Sequence, residues 1–379
     1  MNPALVAMAS SAKKFRRVPT GQTAPDTSIY DLYGTDTNAR GTIPFTVTWP
    51  TAPTGTLTPL TVTNNTQLAT ALATPSAQIT VAAGSYNALT LAEDDQDWII
   101  DDGATFSGFG GTGFARVRVT GGNVVTAGDV SPYGFTDLLM RNINIECQSL
   151  NIGLGSTMFS RAAMVHCTVY ATRVGLITPG ASASDVGVRG YDLILAANYV
   201  SGGMLASDPG VEPAFRIQSV ERCILVDNRA RCGFENGGGG VVDTKHTYRS
   251  HYGNQDYWGR RNMTEWGDGV YWQARANNDT VLANNRMGRH WWYDFDMYTE
   301  RLSAYAFRGA GGGTVAADWL QPIVVDGNRG FTNVTANDNW TWAGKSGDTI
   351  GTNTTAAYQA PPALGSWLAA DGTAPGADH

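Results

Sequence analysis

The sequence predicts an all-β fold: a right-handed, single-stranded parallel β-helix with an N-terminal capping helix and an extended N-terminal arm. Three observations carry that expectation. The 379 residues include 45 Gly and only 16% charged residues, and Thr, Asn and Val recur throughout, which suits many short strands joined by tight turns. Helical periodicity built on Leu, Glu and Lys is nearly absent, and Lys occurs only at Lys13, Lys14, Lys245 and Lys345. Finally, a short strand-like motif recurs at intervals centred in the twenties.

That motif reads GNVVTAG at 122–128, RNINIEC at 141–147, HCTVYAT at 166–172, YDLILAAN at 191–198 and RCILVDN at 222–228. With Asn123, Asn142, Cys167, Asp192 and Cys223 taken as equivalent, the steps are 19, 25, 25 and 31 residues. One strand per repeat with insertions of variable length is what coils stacked about 4.8 Å apart require. In this alignment Asn142, Cys167 and Cys223 form one ladder of side chains. A β-propeller would need repeats of roughly 40 residues with four strands each, and a β-sandwich would show no fixed period.

Three regions follow. Residues 1–60 are an extended arm rich in Thr, Pro and Ala, unable to build a core alone. The basic cluster Lys13, Lys14, Arg16 and Arg17 makes it a candidate arm for attachment or partner contact. Residues 61–300 form the parallel β-helix with its capping helix, and 301–379 form a C-terminal aromatic β region and extended tail.

From Thr66 the text TQLATALATPSAQITVAAGSYNALTL reads as a short amphipathic helix, a strand, a Gly turn and another strand. Leu68 and Leu72 lie four apart on one helical face. On Leu68, Leu72, Ile79, Val81, Gly84, Tyr86, Leu89 and Leu91 the segment resembles the start of pectin-lyase-like β-helix proteins. There a short helix caps the open end of the solenoid before a strand, a Gly-x-Tyr turn and the first coils. WIIDDGATFSG, with Asp102 and Gly103 in a turn, is similar to an early turn of that superfamily, without its second Gly. A cap answers a physical need, because an end coil offers unpaired backbone groups to any other strand.

The net charge of −7 and pI near 5.2 argue against a nucleic-acid-binding body. No apolar run is long enough to span a bilayer. Basic residues follow the short apolar stretch at the N-terminus instead of preceding it, the reverse of a secretory signal, so synthesis in the cytoplasm is expected. Cys147, Cys167, Cys223 and Cys232 show no CxxC spacing. They are expected to be buried free thiols, with no metal site and no cofactor.

Nine of the eleven Trp lie from Trp258 onward. Within 251–280, Tyr257, Trp258, Trp266, Asp268 and Trp272 are the candidate glycan-binding set, since aromatic faces stack on sugar rings while acids bind hydroxyls. Packing within a broad coil, or a subunit interface, explains the same residues. Paired carboxylates occur at Asp94 and Asp95, Asp101 and Asp102, Asp256 and Asp268, and Asp294 and Asp296. A glycosidase needs its two carboxyls about 5 to 9.5 Å apart across a groove, and acids near turns more often cap backbone groups. For a lyase, Lys245, His246, Arg249 and His251 are the best cluster, and a polar loop explains them equally. No catalytic residue is assigned.

A Gly/Thr/Asn-rich β-helix without an export signal and with a basic N-terminal arm resembles phage structural proteins. The resemblance implies a virion protein, a tailspike-like adsorption protein or a head decoration protein. It would be a homotrimer that contacts other virion proteins through its arm and binds cell-surface polysaccharide. The alternative is a polysaccharide lyase or glycoside hydrolase, which would act outside the cell in a groove of the solenoid.

Overall fold

The computed structural model describes residues 47–153, 157, 159–173, 175–178, 190–202, 214–217, 220–226 and 228–232, and then individual strands from His246–Ser250 to Thr354–Thr355. Side chains are described between Val47 and Asn228. Strands stack into three faces. The first sheet has 12 strands, from Thr58–Val62 to Thr349–Ile350, and the second has 11, from Gly84–Tyr86 to Thr354–Thr355. The third face comprises a three-stranded sheet (Leu89–Leu91, Phe109–Thr112, Ser131–Tyr133) and a six-stranded sheet from Leu150–Asn151 to Tyr305–Arg308. A parallel bridge between Val130 and Leu150 joins the two. Neighbours within a sheet are parallel and one coil apart, as in Leu60 with Ile79 and Ile79 with Trp98. The chain is an all-β parallel β-helix. Strands of these sheets lie on both sides of the boundaries drawn at 60/61 and 300/301.

Alternation explains the individual strands. In Ala77–Val81, Ala77, Ile79 and Val81 are buried while Gln78 and Thr80 face out, so one side of each strand lines the core. Successive coils stack their inward residues into one continuous hydrophobic column from Val62 to Leu225.

The first coil has only its first-sheet strand, Thr58–Val62, followed by helix Asn65–Leu72 where the other two faces would begin. Asn64 starts the helix by accepting the Gln67 N–H at 3.0 Å. Leu68 and Ala71 are buried and Leu72 packs partly on the core, so the capping helix expected from the sequence is present. One buried side chain ties it down. Gln96 donates to the carbonyls of Ala71 and Thr74 at 3.0 and 2.9 Å and accepts from the indole N–H of buried Trp98. Tyr86 donates to the Ala82 carbonyl at 2.8 Å, which closes the Gly84–Tyr86 turn beneath the helix.

The sequence-based register needs correction. Asn123 pairs with Asn144, not with Asn142, and Cys223 pairs with Leu193, one residue past Asp192. In three successive coils the chain passes from the first sheet to the second through a left-handed corner residue, with φ of 53° at Asn142, 54° at His166 and 54° at Ala197. RNINIEC straddles this corner whereas YDLILAAN begins inside the first sheet, so aligning the two merges positions on different faces. Asn142, Cys167 and Cys223 therefore do not form one ladder.

Other ladders do form. Asn144 donates to the Asn123 amide oxygen at 3.1 Å. Asn198 and Asn228, both fully buried, stack in a second amide ladder: Asn198 donates to Asn228 at 3.0 Å and to the Met164 carbonyl at 2.8 Å, and it accepts the Cys167 N–H at 2.9 Å. Buried amides persist because every such group finds a partner. Phe114, Phe135 and Phe159 stack at 5.3 and 5.8 Å between ring centres. Cys147, Cys167 and Cys223 are free and buried as expected, and burial pushes the first two thiols up to about 12 and the third well above its ordinary value.

Candidate interaction face

The most organised chemistry among the described residues lies on the outside of the first sheet. Asp95, Arg116, Asp137, Arg161, Asp192 and Arg222 take one position in six successive coils, Asp95 just ahead of strand Gln96–Ile100 and the others within their strands. All six have left-handed backbone, with φ of 58°, 54°, 65°, 58°, 58° and 62°. Sheet pairing steps around them: Thr136 pairs with Ser160 and Leu138 with Ala162, leaving Asp137 and Arg161 between. The same happens at Arg161 and Asp192, and again at Asp192 and Arg222. Left-handed backbone costs about 1–2 kcal/mol at a non-glycine residue, so six in a column need compensation.

Alternating charge supplies it. Each arginine grips the aspartate of the preceding coil with two donors: Arg116 to Asp95 at 2.7 and 2.7 Å, Arg161 to Asp137 at 2.5 and 2.7 Å, and Arg222 to Asp192 at 2.6 and 3.2 Å. The aspartate side chains are only 11%, 2% and 6% exposed against about 30% for the arginines, so the pairs are shielded from water and geometrically specific. The Arg116 guanidinium, helped by Thr54, holds the Asp95 carboxyl down at about 2, and Asp95 in turn raises Arg116. Arg161 and Arg222 are raised by Asp137 and Asp192 in the same way. Arg222 also bonds Glu221 and lies over the Tyr191 ring at 5.6 Å.

An apolar stripe runs beside the charged column. Leu139, Ala163, Ile194 and Ile224 pair in one row, and Val165, Ala196 and Val226 in the next. They form a cluster separate from the core, completed by Val47 and Trp49 from the chain ahead of the solenoid. The segment 47–54 therefore crosses the strands as a strap. Thr54 donates its N–H and its hydroxyl to Asp95 at 2.8 and 3.0 Å, and Thr51 donates its N–H to Asp137 at 2.8 Å. Two coils span about 9.6 Å and three extended residues reach about 10 Å, so the strap runs nearly straight along the solenoid axis.

The five candidate glycan-binding residues fall in one coil but on three faces. Tyr257 and Trp258 lie in strand Gln255–Arg260 of the first sheet, Trp266 ends Met263–Trp266 of the second, and Asp268 and Trp272 lie in Asp268–Gln273 of the third. Tyr257 takes the register position of buried Cys223, and Trp258 that of Ile224 on the outer stripe. Asp268 pairs with His246, and Trp272 with Ser250 and Phe307.

Lys13, Lys14, Arg16 and Arg17 lie outside the described residues, as do Asp294, Asp296, Lys245 and His251. Of the paired acids, Asp94 accepts the Ala115 N–H at 2.8 Å and Asp101 the Gly103 N–H at 2.7 Å, which are structural tasks. Among the described residues no three His, Cys, Asp or Glu are placed to hold a metal ion. No helix is long and apolar enough to cross a membrane.

Sequence reasoning missed the charged column. Its signal was present: a charge of alternating sign immediately ahead of successive apolar runs, in TDLLM, SRAAMV, YDLILA and ERCILV. Comparison with protein-family models, characterised proteins and solved structures found no match.

Proposed function

We propose that the chain is a structural protein of a bacteriophage particle, a tailspike-like adsorption protein or a head decoration protein, in which the solenoid is a rigid shaft. The observation that supports this best is the strap. Residues 47–54 are fastened along the axis of the shaft by Asp95, Asp137 and the apolar stripe, so the arm carrying Lys13, Lys14, Arg16 and Arg17 departs from a fixed point, as an attachment arm must. Kinship with pectin-lyase-like β-helices fits the capping helix and the Gly84–Tyr86 turn. The assembly in this reading is a homotrimer held to other virion proteins through the arm.

Cell-surface polysaccharide is the second partner. Asp268 and Trp272, four apart on one third-face strand, carry the contact in this reading. Of the paired acids, Asp94, Asp95 and Asp101 are engaged in holding backbone or arginine, which supports a scaffold role over a catalytic one at those three positions.

The test is the mass of the full chain in solution together with its position in purified particles. Three copies per assembly and a fixed site on the virion are expected. A stable monomer absent from particles would overturn the proposal, as would release of unsaturated products or new reducing ends from a polysaccharide panel by a chain with no place in the particle.

A further inference from the structure

The strap carries a repeat of its own. Residues 47–54 read VTWPTAPT, in which Val47, Pro50 and Pro53 each precede a threonine, Thr48, Thr51 and Thr54. Burial follows the same period of three: Val47 and Pro50 are buried and Pro53 partly so, whereas Thr48, Thr51 and Thr54 are exposed. A β-strand would turn every second residue inward, which would bury Thr51 along with Val47. The segment forms neither helix nor strand. Its bonds to the solenoid share the period, since they come from the N–H groups of Thr51 and Thr54, three residues apart.

We infer that the strap is a polyproline II helix and that the outer face of the first sheet is a track built to recognise that conformation. Two periods coincide. Three residues of polyproline II make one turn and advance about 9.3 Å, while two coils rise about 9.6 Å. Aspartate recurs in the charged column at every second coil, as Asp95, Asp137 and Asp192, with an arginine between. One turn of the strap therefore carries its donor from Asp95 to Asp137, as the bonds of Thr54 and Thr51 show. Pro50 and Pro53 suit the places between, because each has φ fixed near −65° and no N–H to leave unpaired against the sheet. A segment stiffened in this way loses little entropy on docking. The ligand class of the track is thus a polyproline II segment with an apolar residue or proline, then threonine, in each repeat of three, supplied here by the chain itself. The alternation of acid and arginine serves it directly: the arginines hold the acids in place, and the acids at alternate coils read the strap.

The test is the backbone conformation of the strap in the full chain, read from amide-to-Hα couplings and amide exchange. Couplings at Thr51, Ala52 and Thr54 should report φ near about −75°, and values of about −120° to −140° would place the segment among strands and overturn the inference. Ala52 stands between the two donors, and its own N–H takes no part in either bond. Proline there drives the preceding Thr51 toward the extended region that polyproline II requires. Ala52→Pro should therefore slow exchange at Thr51 and Thr54 about two- to fivefold, and Ala52→Gly should speed it by a similar factor. Exchange in Ala52→Pro no slower than in Ala52→Gly would overturn the inference as well.

Discussion

Thr51 donates its backbone N–H to Asp137 at 2.8 Å across 86 residues of sequence, and the same carboxylate is gripped by Arg161 from the next coil. One buried acid thus joins the strap, its own strand and the following coil. A carboxylate that is 2% exposed is tolerated only while these donors remain. Arg161→Met should destabilise the protein by about 2–3 kcal/mol, less than for a fully buried pair because the arginine is partly exposed. Asp137→Leu combined with Arg161→Met should recover much of that loss. Urea unfolding measures both, and a single substitution that costs no more than the double would contradict this role.

The left-handed corner offers an opposite effect. Ala197 has φ of 54°, is buried, and has no polar side-chain group to lose. Ala197→Gly should stabilise the protein by about 0.5–1 kcal/mol, since the relief of strain exceeds the extra chain entropy. A fall in the unfolding midpoint would count against strain at this position.

Asn198 serves three backbone or amide partners at once. Asn198→Ala should cost about 3 kcal/mol by leaving the Cys167 N–H and the Met164 carbonyl unpaired in the core. Calorimetry would show the loss; a midpoint within a degree of the parent would mean that water replaces the amide.

Acid should loosen the strap. Asp95 is held at about 2, below its ordinary 3.8, so folding favours its charged form. The stability it contributes is complete above about pH 4 and is lost as pH falls toward 2. Asp95→Asn should therefore be less stable than the parent at pH 7, with the gap closing between pH 4 and pH 2. A gap independent of pH would refute the ion pair as its source.

The buried thiols give a chemical check. Cys147, Cys167 and Cys223 should resist thiol reagents at neutral pH in the folded protein and react on unfolding, because burial disfavours their thiolates. Rapid native labelling at any of the three would contradict their placement in the core.

The solenoid was legible because its evidence is local and repeated: apolar alternation in each strand, Gly at turns, and the helix of Leu68 ahead of the first full coil. The register was not, because inward Leu193 and outward Ile194 are both apolar and both buried, so alternation fades wherever the strap covers the outer face. The hydrogen bonds that span 86 residues to Asp137 and 41 to Asp95 leave no local trace. The pairing of an acid in one coil with an arginine in the next becomes visible only once coil lengths are known, and these vary from 19 residues between Gln78 and Asp97 to 43 between Val281 and Val324. The aromatic set suffered from the same gap: five residues close in sequence belong to three different faces.

The most direct measurement is residue-resolved amide exchange at Thr51 and Thr54 in the full chain. Both amides should be protected although they precede the first strand. Asp137→Ala should release Thr51, and Asp95→Ala should release Thr54, each by about tenfold or more. Free exchange of both amides in the parent protein would contradict the strap and the attachment role built on it.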